Sequence, residues 1–171
     1  AGASEHGSGQ ESAASPSGER FHETAGSSPP EPRGLARILV VEDEPSMRLI
    51  CRVNLEFAGF EVEEAENGAQ GLERARDAGI DLVLLDVMLP DIGGHQVAER
   101  LAAQGGPAFA FLSARAGRDD LRIGYLLGAV DYLVKPFDPI ELGERVGAIV
   151  RRIRTGESER YRLERLDELQ A

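Results

Sequence analysis

Five short apolar runs, "RILVVE", "FEVEEA", "DLVLLDVMLP", "PAFAFLSA" and "AVDYLVKP", follow one another from Leu35 onward, and each leads into a segment of helical periodicity. This alternation calls for βα units around a parallel sheet, because a parallel neighbour is reached only by a crossover long enough to hold a helix. The third run is apolar without interruption, as a central strand covered on both faces requires. "FEVEEA" alternates apolar and charged residues and suits an edge. The predicted fold is therefore α/β, a five-stranded parallel sheet with helices on its faces.

The helices between these strands follow from spacing. The first runs from about Pro45 to Ala58, with Leu49, Val53 and Phe57 recurring every fourth residue as its apolar row and Arg48, Arg52 and Glu56 as the opposite row. Pro45 suits a first helical turn, where its missing N–H has no intrahelical partner to lose. Asn67-Gly68 opens a second helix that turns Leu72 and Ala75 toward a core. A third lies near His95 to Ala103, a fourth near Asp119 to Leu127, and a fifth carries Leu142, Val146, Ile149, Val150 and Ile153 at helical spacing. Cys51 reads as a small half-buried helix residue, and His95 as structural or solvated.

The remainder of the chain bounds what this domain can do. Residues 1–34 are rich in Gly, Ser, Pro, Glu and Ala, with Phe21 as their one Phe, Tyr or Trp, so they cannot bury enough apolar surface to offset ordering entropy; they read as a disordered tail. Residues 35–154 hold the five βα units. Residues 155–171 form a charged extension, read as a short exposed helix, in which Leu163, Leu166 and Leu169 make a narrow stripe that packs on the domain, meets a partner or frays; Gly156 separates it from the fifth helix. No apolar stretch reaches membrane-spanning length, and a single Cys51 fits a reducing compartment, so a soluble cytoplasmic protein is expected. A formal charge of −11 argues against direct nucleic-acid binding by this chain. The chain opens on Ala1 rather than Met, which leaves open both a complete chain with a tail and a piece cut from a larger protein at either end.

The chemistry gathers where strands end. In an open parallel sheet the carboxyl ends of the strands form one rim and the ligand crevice lies outside it. Glu42 and Asp43 end the first strand and Asp86 the third, so neighbouring strands would bring three carboxylates together; a hard divalent cation such as Mg²⁺, with Mn²⁺ as a substitute, is the usual neutraliser. Ser113 ends the fourth strand, and Lys135, the single lysine beside eighteen arginines, follows the fifth. An ammonium is a compact point charge suited to a small site. The set fits phosphoryl transfer to an aspartate, with Asp86 as nucleophile and Glu42 and Asp43 better placed to hold metal.

These residues resemble the receiver domain of bacterial two-component response regulators, which implies a doubly wound, flavodoxin-like α/β sheet of strand order 2-1-3-4-5. The resemblance covers about residues 36 to 154 and rests on "VVEDE", "LLDVMLPDIGG", "LSAR" and "DYLVKPF", in the family's order and approximate spacing. It implies that Asp86 accepts a phosphoryl group from a sensor histidine kinase or phosphotransfer protein, with Mg²⁺ held by Asp43, Asp86 and the backbone carbonyl of Met88 and with Glu42 acting through a metal-bound water. It implies that Ser113 and Lys135 grip the phosphoryl oxygens, and that Tyr132 changes rotamer when Ser113 moves. Such a protein is a phosphoacceptor that assists its own phosphorylation and dephosphorylation rather than an enzyme acting on other substrates. Glu42 stands where many members have Asp, Ser113 where many have Thr, and "GAVDY" replaces "GADDY". Asp131, Glu141, Arg145 and Arg152 resemble charged positions on the face formed by the fourth helix, fifth strand and fifth helix, a route to homodimers, whereas Leu121 stands where a basic residue is common.

Other readings compete. A Mg²⁺-dependent phosphohydrolase with an aspartyl-phosphate intermediate would need an acid two residues after the nucleophile, where Met88 stands. A flavin binder would need a hydroxyl-rich or glycine-rich phosphate loop after the first strand, and "EDEPS" would repel phosphate. A receiver-shaped scaffold that is never phosphorylated is disfavoured by the intact Asp43, Asp86, Ser113 and Lys135.

Overall fold

The "RILVV" run forms β1 (Arg37–Val41), and every later strand takes its place from it. In the computed structural model, which describes Gly2 and residues 35–171, there follow α1 (Pro45–Phe57), β2 (Glu61–Ala65), α2 (Gly68–Arg74), β3 (Leu82–Leu85) and α3 (Gly94–Ala103). Then come β4 (Ala108–Ser113), α4 (Arg118–Leu126), β5 (Tyr132–Val134), α5 (Pro139–Thr155) and α6 (Ser158–Gln170). Apart from Gly2, the tail expected over residues 1–34 lies outside the described residues. The strands are all parallel and ordered β2-β1-β3-β4-β5, the order the resemblance implies, with "FEVEEA" at an edge and the third run central, as their patterns predicted.

Period-two alternation sends successive residues of the central strands to opposite faces. Leu39, Val41, Val83, Leu85 and Phe111 pack on one side with Val97, Ala98 and Leu101 of α3 and Tyr125 of α4. Ile38, Val40, Leu82, Leu84 and Leu112 pack on the other with Cys51 and Leu55 of α1 and Leu142, Val146 and Ile149 of α5. Both sheet faces are thus covered, which is why the third run could be apolar throughout. Each such buried side chain contributes about 1.5–3 kcal/mol against the exposed state.

Helix α1 departs from its expected orientation. The row Leu49, Val53 and Phe57 faces solvent, Phe57 being 95% exposed, while Cys51 and Leu55 are fully buried, so Cys51 is a core residue rather than a half-buried one. The inward face is chosen by what lies opposite it. Met47, Cys51 and Leu55 meet the second core, and Gly143 of α5 lets Ala58 come so close that a Cβ on the glycine would lie 2.7 Å from the alanine methyl. A periodicity that counts only apolar residues cannot see that a smaller row fits the crowded α1–α5 contact better.

At its far end α5 stops on Gly156, whose φ of 77° lies in the left-handed region that favours glycine. The Glu157 amide donates to the Arg152 carbonyl at 2.8 Å, closing the turn from which α6 leaves. Leu166 and Leu169 then pack against the core on the side of α3 and α4, whereas Leu163 stays exposed, so of the outcomes open to this stripe two of its three leucines take packing on the domain.

Replacing Leu55 with alanine should lower stability by about 2–5 kcal/mol through the cavity it leaves. Phe57→Ala should change stability by no more than about 0.5 kcal/mol. Urea unfolding of the two variants checks the orientation of α1, and a larger loss at Phe57 would reverse it.

Candidate functional site

Because β1 pairs with β3 in the register Val41↔Leu85, the residues that follow each strand emerge side by side: Glu42 and Asp43 from one, Asp86 from the other. The Asp86 amide donates to the Val41 carbonyl at 3.1 Å and fixes that alignment. One carboxylate oxygen from each of Glu42, Asp43 and Asp86 lies within 4.8 Å of the other two. Glu42 is 2% and Asp86 7% exposed, whereas Asp43 opens to solvent. Lys135 reaches this group from the end of β5, its Nζ 2.9 Å from Asp86 Oδ2 and 3.0 Å from Glu42 Oε2. The Lys135–Pro136 peptide is cis. One ammonium facing three carboxylates leaves the site short of positive charge, and its oxygens are the hard donors that a divalent cation of the Mg²⁺ type takes. The residues present fit such an ion.

Backbone packing holds Asp86 in place. Met88 N–H donates to Asp86 Oδ1 at 3.0 Å, leaving Oδ2 to the lysine, and the Met88 side chain points outward, 57% exposed. Gly94 lies so near that a Cβ there would sit 2.1 Å from the Asp86 carbonyl oxygen, so only glycine admits the return of the chain into α3. Two residues that the sequence did not single out for the site brace it. Asp91 accepts from the Gly68 and Ala69 amides at 2.8 and 3.0 Å, tying the loop after β3 to the start of α2. Arg48 donates to the Glu42 carbonyl at 2.8 Å and the Asp43 carbonyl at 3.4 Å, clamping the acidic turn. Asp91 carries a turn signal in "LPDIGG"; Arg48 carries none, since it reads as one more charge on a polar row.

Ser113 and Tyr132 sit beside the acids. Ser113 is buried at the end of β4, and its Oγ accepts from the Arg115 amide at 3.2 Å. The buried Tyr132 packs on Phe111 with ring centroids 5.8 Å apart and donates its hydroxyl to the Arg115 carbonyl at 2.6 Å. His95 lies edge-on to Phe111, a packing role. The four charges that resemble positions of a dimer face differ in exposure. Asp131 is buried, and its carboxylate receives Arg152 at 2.9 Å, Arg145 at 3.4 Å and the Tyr125 hydroxyl at 3.2 Å; of the four, Glu141 and Arg145 reach the surface. Val130 and Leu121 pack against the two cores instead of presenting that face.

The electrostatics follow from burial. Desolvation, then hydrogen bonding to Asp86, pushes Glu42 up to about 7 against the pull of Lys135. For Lys135, desolvation works downward, but its bonds to Asp86 and Glu42 prevail and raise it. The ammonium is the fixed charge of the site. Burial likewise pushes the Cys51 thiol up to about 12, so it is no nucleophile at neutral pH.

Residues 38–147 match the family model described as response regulator receiver domain. The chain is 44% identical over 131 residues to the transcriptional activator protein IrlR of Burkholderia pseudomallei, covering 77% of this chain and 57% of that one. It is 41% identical over 116 residues to the DNA-binding response regulator MtrA of Mycolicibacterium smegmatis, covering 68% and 51%. The chain thus spans about half the length of these relatives. A CheY-like receiver domain protein from Methanospirillum hungatei superposes with a TM-score of 0.66 at 27% identity, over 72% of this chain and 99% of that one. Chemotaxis protein CheY4 of Vibrio cholerae gives 0.64 at 28% identity, over 68% and 99%.

The raised Glu42 predicts a pH signature in metal-free buffer. Between about pH 4.5 and about pH 7 the native state keeps a proton that the unfolded chain has released, so this residue makes stability fall as pH rises through that window. Glu42→Gln should remove that slope, worth up to about 3 kcal/mol across the window, in denaturant titrations at successive pH values. An unchanged slope would mean that Glu42 is ionised throughout.

Proposed function

This chain belongs to the response regulator receiver domain family, and from that membership in two-component signalling we propose that Asp86 is its phosphoacceptor. The observation that carries the assignment is the junction of a buried Asp86 with Lys135 at 2.9 Å and with Glu42 and Asp43 on the adjoining strand end. Asp86 Oδ1 is engaged by the Met88 amide and Oδ2 by Lys135, so the carboxylate is oriented before a donor arrives. Attack by an Asp86 oxygen forms the O–P bond as the donor's bond to phosphorus breaks; from a phosphohistidine, the electron pair leaves with the imidazole, which takes a proton from solvent.

Lys135 and the Ser113 hydroxyl would then hold the phosphoryl oxygens, the serine by giving up its contact with the Arg115 amide. Mg²⁺, which receiver domains use at this acidic pocket, would be held by Asp43, Asp86 and the Met88 carbonyl, with Glu42 reaching it through water, and would supply charge neutralisation between carboxylates and phosphoryl group. Mn²⁺ has the same oxygen chemistry. An exposed Met88 side chain offers no general acid to a leaving alcohol, which argues against the phosphohydrolase reading.

The same reading assigns residues 35–154 to the receiver and 155–171 to an extension, and takes a histidine kinase or phosphotransfer protein as donor in the cytoplasm. Such a donor must seat beside the rim. The solvent-facing row of Leu49, Val53 and Phe57 begins six residues after Asp43, on the second turn of α1, and supplies exposed apolar area on that helix. With a formal charge of −11 and one lysine committed to the site, this chain is not expected to hold DNA itself. Among the described residues no helix is long and apolar enough to cross a membrane.

Incubation with acetyl phosphate and Mg²⁺ should add one phosphoryl group to the intact mass, and Asp86→Asn should abolish it. Lys135→Ala should slow the gain by about a hundredfold. EDTA should prevent it. Failure of the unaltered protein to gain mass with small donors and with a phosphorylated kinase would overturn the assignment.

A further inference from the structure

Helix α6 lies across α4 and is held mainly by polar contacts. Arg162 donates to the Tyr125 carbonyl at 2.6 Å, accepting the role of a cap on α4's last turn. In the other direction Arg118, the first residue of α4, donates to the Leu169 carbonyl at 2.8 Å and approaches that of Glu168 at 3.4 Å. The Arg152 guanidinium stacks 3.6 Å from the Tyr161 ring centroid. Leu166 and Leu169 add a small apolar footing on the core. Arg152 therefore serves Asp131 on one side and α6 on the other.

Two properties leave α6 dependent on its docking. A 13-residue helix without apolar support is marginal in water, so α6 depends on its contacts with α4 and α5. Gly156, with its left-handed backbone, gives it a separate joint to α5.

The docked helix is also joined to the phosphoryl site by a short run of chain. Arg115 is pinned twice, its amide by Ser113 Oγ and its carbonyl by the Tyr132 hydroxyl. Three residues later Arg118 grips α6. A turn of Ser113 to a phosphoryl oxygen would remove one of these two pins, the acceptor of the Arg115 amide, and so loosen the segment that positions Arg118.

We propose that the surface of α4 and α5 is a helix-docking surface occupied in the resting protein by the chain's own α6, and that phosphorylation releases α6 through the Ser113–Arg115–Arg118 connection. A partner on this surface must displace α6, and it would be a helix that offers a leucine pair and carbonyl-seeking arginines. The trigger rests on the assignment of Asp86; the docking does not.

Hydrogen exchange of the full chain, followed by mass spectrometry over residues 158–170, tests both parts, with phosphoryl occupancy read from the intact mass of the same samples. Phosphorylated protein should exchange α6 amides at least about fivefold faster than unphosphorylated protein. Arg118→Ala and, separately, Leu166→Glu should produce that acceleration without phosphate, while β1 and β3 stay protected and phosphoryl uptake stays within about twofold. Phosphorylated protein with unchanged α6 exchange would overturn the trigger. Unchanged exchange in both variants would overturn the docking. Absence of phosphoryl uptake would sink the Asp86 assignment and the trigger with it, and the variants would still decide whether α6 is held as described.

Discussion

The contact of Lys135 with both Glu42 and Asp86 is the constraint on which the rest of this structure turns. Two buried carboxylates at the ends of adjacent strands repel, and the cost grows as water is excluded. A single ammonium between them makes the arrangement tolerable without neutralising it. The remaining negative charge suits the rim to a hard cation, and in the proposed function the same ammonium meets a second anion, the phosphoryl group. A guanidinium would spread its charge over a fork too broad for the gap, which accounts for one lysine in a chain that otherwise uses arginine.

The sheet supplies the precision that this contact needs. Glu42, Asp43 and Asp86 converge because β1 and β3 are paired in one register, and a slip of one residue would turn each acid to the opposite face. Core side chains on both faces of the sheet prevent that slip. The loop after β3 is shaped with equal economy: Gly94 admits the close return of the chain, Asp91 ties it to α2, and the Met88 amide aims the Asp86 carboxylate. Function at the rim thus draws on residues whose own chemistry is only structural.

The departures from the family's usual residues leave this logic intact. Glu42 in place of Asp still presents a carboxylate, lengthened by one methylene, and it is this carboxylate that Lys135 engages. Ser113 in place of Thr keeps the hydroxyl and drops a methyl, so it turns with less steric restraint. On the side of α4 and α5, Asp131 and Arg152 are committed to internal pairs, and α6 occupies α4.

Much of the fold was legible in the sequence because alternation of strand-period and helix-period segments is a local property, and because crossover rules leave few ways to connect five such units. The rim residues were legible for a related reason: Glu42, Asp43, Asp86, Ser113 and Lys135 each follow an apolar run, and parallel strands bring all such ends to one side. The orientation of α1, the bracing by Arg48 and the position of α6 were not legible. Leu49, Val53 and Phe57 form the more apolar row, yet Cys51 and Leu55 are buried, because rotation of a helix is decided by the shape of what it packs against and not by its own hydrophobicity. Arg48 and Arg162 look like ordinary surface charges until folding sets a backbone carbonyl before each. The sequence by itself determined which groups would meet at the rim, since that follows from chain order and strand direction; only tertiary structure decided which faces stayed open, since that depends on long-range fit between surfaces distant in sequence.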